Sequence, residues 1–174
     1  MKMLYEFTAT INSGQPVPEE SLRLLHWFAN IVDIDNNNVI WLTFDPDNHD
    51  YGSHLYHNSE RLLNPLPEGQ QYYTIGNVNA DGAEELPDYV VNWMNNTRRN
   101  TARVIIRESR GTSVHQVYVT QHYNTSENQG TRYDPDHTYH VTTKLLRQIR
   151  NLSVENSLTE IYVRLETEHF MVFF

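Results

Sequence analysis

The chain contains no cysteine, so neither a disulfide framework nor thiolate chemistry is open to it. Glycine is scarce, with seven in 174 residues. There is no P-loop and no G-x-G-x-x-G stretch, which excludes phosphate cradles of those two types. Basic residues are also few: 13 Lys and Arg stand against 22 Asp and Glu, a net charge of −9 with histidines neutral. That balance disfavours non-specific binding to nucleic acid or to an anionic membrane, and suits solubility or a basic partner. No apolar run is long enough to span a bilayer. The opening MKMLYEFTATIN lacks the apolar core and small-residue cleavage site of a signal peptide. The expectation is a cytoplasmic protein, without membrane contact and without a cofactor.

What is present is repetition. Residues 54–63 read HLYHNSERLL and residues 137–146 read HTYHVTTKLL, and each follows an acidic turn, FDPDNHD or YDPDH. The shared pattern is H-x-Y-H-x-[S/T]-x-[K/R]-L-L. Upstream, Trp27 matches Trp93, Asn30 matches Asn96, and Trp41-Leu42-Thr43 matches Tyr118-Val119-Thr120. Self-similarity at this scale argues for two diverged halves, residues 1–70 and 71–174, joined in one compact unit. Hydrophobic residues make up 39% of the chain, enough for a core at this length.

Alternation of apolar and polar residues predicts a strand over 4–12. A helix opens at Pro18-Glu19-Glu20, with acids in its first turn and Leu22, Leu25, Trp27, Phe28 and Ile31 on one face. Asp35 to Asn38, DNNN, is a hairpin turn between a short strand at 32–34 and a longer one at 39–44. Residues 45–53 read as a loop and 56–63 as a short helix, stopped by Asn64-Pro65. In the second half, strands are expected at 71–79, 103–108 and 113–123, and helices at 84–96 and 142–150. Residues 124–132 are a loop, and 160–174 form one or two closing strands. Each half is then β-α-β-β-α, and the fold class is α+β: two such repeats packed as a pseudo-twofold sheet and helix sandwich.

The repeated phrase has a plain structural role available. The tyrosines and Leu-Leu pairs can fill the core, and Ser59 and Thr142 can cap helices. Paired histidines are not needed for that. His54, Tyr56, His137 and Tyr139 are therefore candidate ligand contacts. Asp45, Asp47, His49, Asp50, His54 and His57 lie close together in sequence, and Asp134, Asp136, His137 and His140 repeat part of the set. Imidazole with carboxylate suits a transition metal, although H-x-x-H alone is a weak signal.

His57-x-Ser59 and His140-x-Thr142 place an imidazole and a hydroxyl two residues apart, once per half. This resembles the paired H-x-[S/T] motifs of the 2H phosphoesterases. The resemblance implies a phosphodiesterase with His57 and His140 as acid and base and with Ser59 and Thr142 holding the phosphate. It covers those four positions. It departs from that family's pattern, in which the motif lies on a strand after the first helix; here the matching strands read Trp41-Leu42-Thr43 and Tyr118-Val119-Thr120. The leading expectation is an acidic binding protein, acting as an inhibitor, antagonist or immunity-type protein on a protein partner or a small phosphate-bearing ligand. Phosphodiesterase and His/Asp metal-binding protein are the alternatives.

Overall fold

The computed structural model describes residues 19–77, 86, 90, 102–109, 113–121, 123, 133 and 138–151. The expected strands at 4–12 and 160–174, most of the expected helix at 84–96 and the loop at 124–132 lie outside them. The described residues form a mixed α+β fold, an antiparallel sheet of seven strands with two helices. In chain order these are α1 (Glu19–Ile31), β1 (Asp33–Ile34), β2 (Ile40–Trp41), β3 (His54–Tyr56), β4 (Gln70–Ile75), β5 (Arg103–Ser109), β6 (Ser113–Thr120), β7 (Thr138–Val141) and α2 (Thr143–Arg150).

The sheet runs β1-β2-β6-β5-β4-β3. Strand β6 has a divided outer edge: β2 pairs with Ser113 and Val114, and β7 pairs with Val117 to Thr120. Alternate side chains therefore supply two separate layers. On one face Tyr73, Ile75, Val104, Ile106, Val117, Val119, Tyr139 and Val141 meet Leu22, Leu25 and Phe28 of α1 and Leu145, Leu146 and Ile149 of α2. Leu86 and Val90 are buried in the same core. On the other face Tyr56, Tyr72, Ile105, Tyr118 and Tyr133 pack with Leu62 and Leu63. A tyrosine-rich layer thus lies opposite the helices.

The DNNN turn forms as its sequence demands. Asp35 Oδ1 accepts from the backbone N–H of Asn37 and Val39 at 2.9 and 3.0 Å, and Asn38 takes a φ of 62°. The Trp41 indole donates to Asp35 Oδ2 at 3.0 Å, and this bond is the main reason the Asp35 carboxyl sits below its ordinary pKa.

The helix expected at 56–63 does not form. Among the described residues His54–Tyr56 is an edge strand on β4, and the chain then turns irregularly. Asn58 is the cause. Its side-chain amide donates to the Leu63 carbonyl at 2.9 Å and accepts from the Leu63 N–H at 3.0 Å. Asn58 and Arg61 both adopt positive φ, 56° and 59°, which no right-handed helix accommodates. The second copy has Val141 where the first has Asn58, and there α2 does form. Thr142 caps it, accepting from the Leu145 N–H at 3.2 Å. The two copies also serve opposite faces. Tyr56, Leu62 and Leu63 enter the tyrosine layer, whereas Tyr139, Leu145 and Leu146 enter the helix layer.

Candidate functional site

A hollow of about 410 Å³ opens beside β3. Strand β3 and the turn after it contribute His54, His57, Asn58, Ser59 and Glu60. Thr74 comes from the end of β4, Asn77 from just beyond it and Arg103 from the start of β5, and Tyr123 also lines the hollow. The register explains the grouping. His54 lies opposite Thr74 across β3–β4, and Thr74 lies opposite Ile105, two residues along β5 from Arg103, so all four side chains share the face away from the helices.

A close backbone approach sets the rim. Gly52 has a φ of 68°, and a Cβ there would meet the Asn77 carbonyl oxygen at 2.4 Å. Glycine is required at that point, and its absence of a side chain lets the 46–52 turn lie directly on the end of β4. The Gly76 N–H donates to the Tyr51 carbonyl at 3.2 Å in the same contact. Tyr51 itself takes a positive φ of 56°, costly for an aromatic residue. It is held by edge-on contacts to Trp27 and Phe44, with centroids 5.0 and 5.1 Å away.

Arg103 is 5% exposed. Its Nη1 donates to the Ala102 carbonyl at 2.7 Å, and its guanidinium carbon lies 5.5 Å from the centroid of the Tyr123 ring. Burial lowers its pKa to about 10, so it carries its charge at neutral pH. The Tyr56 hydroxyl donates to Glu60 Oε2 at 2.9 Å. Burial, reinforced by the Glu60 charge, raises the Tyr56 pKa and keeps the hydroxyl protonated as a donor. The His54 ring lies 5.0 Å, centroid to centroid, from His49, whose Nδ1 is 2.9 Å from the Ser53 carbonyl oxygen.

His140 and Thr142 line a different hollow, of about 280 Å³, with His115, Gln116 and Asn38. Burial lowers the His140 pKa, and its ring packs 5.4 Å from Tyr118. Between β3 and β7 stand β4, β5 and β6. At about 4.8 Å per strand that is about 19 Å. The structure brings His57 together with Ser59, and His140 together with Thr142, but it does not bring the two pairs to one hollow. Of the four residues expected as ligand contacts, His54 and Tyr56 line the first hollow, Tyr139 is buried under the helices, and His137 lies outside the described residues.

Among the described residues, no group of three or more His, Asp or Glu could hold a metal ion. The acids of the DPDNHD segment tie their own turn instead. Asp45 accepts from the Asp47 N–H at 2.9 Å, and Asp50 accepts from the Asp45 N–H at 2.9 Å and from the Asn48 amide at 3.1 Å. Asp134 and Asp136 lie outside the described residues.

Two charged groups escaped the sequence reading. Arg103 and Glu108 sit near the ends of β5, in the run RVIIRES, and both are about 5% exposed. Charges bracketing an apolar strand core were the available signal. Glu108 has its pKa pushed up to about 7 by burial, then by Asp47 and Asp45. Asp47 in turn accepts from the Tyr73 hydroxyl at 2.5 Å. No helix among the described residues is long and apolar enough to cross a membrane.

No family model matches this chain, and no curated protein or solved structure matches it either.

Proposed function

We propose that this is a binding protein that holds a small anionic ligand, of the phosphate-bearing class, in the hollow beside β3. The observation that carries the reading is Arg103: a buried guanidinium in the lining of an open, polar hollow. The guanidinium fork suits a phosphate or carboxylate. The same lining holds donors of the right kind, the Ser59 and Thr74 hydroxyls, the Asn77 amide and two imidazoles. The long-range field of a chain with net charge −9 repels anions, so affinity must come from this local arrangement.

Calorimetric titration with inorganic phosphate and with small phosphate monoesters tests the reading. Saturable binding is expected, weakened at least tenfold in Arg103→Gln. Arg103→Lys, which keeps the charge but loses the fork, is expected to fall between. Melting curves identify a variant that has simply unfolded. No binding by the folded native protein at millimolar ligand overturns the proposal.

A further inference from the structure

The hollow that takes the anion is lined by charges of both signs. Arg103 and Glu60 both line it. Glu60 is half-buried, and the hydroxyl of Tyr56, itself buried, fixes one of its oxygens at 2.9 Å. A carboxylate lining a purely anion-selective site is a penalty, because like charges in a partly desolvated hollow repel. A loose surface glutamate could swing away, but this one is tethered into the lining by a residue of the sheet.

We propose that the ligand is a zwitterion: a small molecule whose phosphate or phosphonate group meets Arg103 and whose ammonium group meets Glu60. This rests on the anion-binding reading above and specifies what that ligand carries at its other end. The hollow's volume of about 410 Å³ suits a small molecule. Its remaining lining includes the Asn77 amide and the Ser59 hydroxyl, which offer donors and acceptors to the two charged ends. Tyr56 is a positioning residue here: it acts on the ligand through Glu60.

The two halves of the proposal separate with a matched pair of probes. Propylphosphonate and 2-aminoethylphosphonate differ by a methyl against an ammonium group and are otherwise nearly the same size. Native protein is expected to bind 2-aminoethylphosphonate about tenfold or more tightly than propylphosphonate, the scale of one charge-assisted hydrogen bond. Glu60→Gln is expected to remove that preference and to tighten propylphosphonate, because the like charge in the hollow is gone. Tyr56→Phe, which keeps the ring in the tyrosine layer, is expected to reduce the preference in part.

Equal binding of the two probes overturns the zwitterion and leaves the anion site standing. Binding of neither overturns both. A preference that survives Glu60→Gln overturns the role given to Glu60. Cosedimentation with vesicles containing phosphatidylethanolamine, at lipid amine concentrations where the free probe does not bind, overturns the assignment to a free small molecule.

Discussion

Arg150, in the last turn of α2, donates through Nε to the carbonyl oxygen of Ala29 at 2.8 Å, across 121 residues of sequence. Its Nη2 reaches the Val32 carbonyl as well. These oxygens lie at the C-terminal end of α1, where helix carbonyls lack intrahelical partners and where positive charge is favoured. Arg147 extends the arrangement, donating to the Asp35 carbonyl at 2.6 Å. One helix therefore closes the end of the other. Replacing Arg150 by Met, which keeps the aliphatic stem, should cost about 1.5–3 kcal/mol in urea unfolding. The exposed Lys144→Met should lie within about 0.5 kcal/mol of the native protein.

The two copies of the repeated phrase make unequal use of their hydroxyls. Thr142 caps α2, whereas Ser59 lies exposed in a turn with no helix after it. Thr142→Ala should destabilise by about 1 kcal/mol. Ser59→Ala should leave the unfolding midpoint almost unmoved and report only in phosphate titration.

Asn58 clamps its turn through both amide atoms while holding a positive φ. Asn58→Gly keeps the conformation and loses the clamp. Asn58→Ala loses both. Denaturant unfolding should therefore rank native, Gly, then Ala, with Ala about 2 kcal/mol below native. Because Glu60 sits inside the same turn, Asn58→Ala should also weaken 2-aminoethylphosphonate more than propylphosphonate.

Glu108 gives stability an identifiable pH dependence. Burial, then the charges of Asp47 and Asp45, pushes its carboxyl up to about 7 in the folded protein, from an ordinary value near 4.5. A carboxyl raised on folding binds more protons in the native state, so its contribution is fully present below pH 4.5 and is lost as pH rises through 7. Asp45 and Asp47 are the charges that act on it, with the Tyr73 hydroxyl bonded to Asp47. Glu108→Gln should therefore be more stable relative to native at pH 8 than at pH 5, by thermal melting at both values. An unchanged difference would count against the raised carboxyl.

Much of the scaffold was legible from periodicity. The helix at 19–31, the DNNN hairpin, the paired strands across 103–120 and the capped helix at 143–150 all stand where their residues put them. The phrase at 54–63 misled because the Leu-Leu pair and its spacing are the same in both copies. The outcome turns on one residue, Asn58 against Val141, whose side chain competes with the helix locally. Nor could alternation alone say that Tyr56 and Tyr139 would face opposite layers, since that depends on which partner each strand finds. The hollow was half visible. His54, Tyr56, His57 and Ser59 come from the phrase, but Arg103 reaches them only through the β3–β4–β5 register.

The position of β5 carries a consequence for how the protein breathes. It has a strand on each side and a packed layer above and below, so its amides should exchange with solvent last. Among the described strands, β3, three residues long, sits at a margin of the sheet and should open well before β5. A molecule bridging Arg103 and Glu60 would link that margin to the slowest-opening strand. Its arrival would then register in hydrogen exchange as slowed amides at 54–60, while the amides of β5 kept the rates they had before.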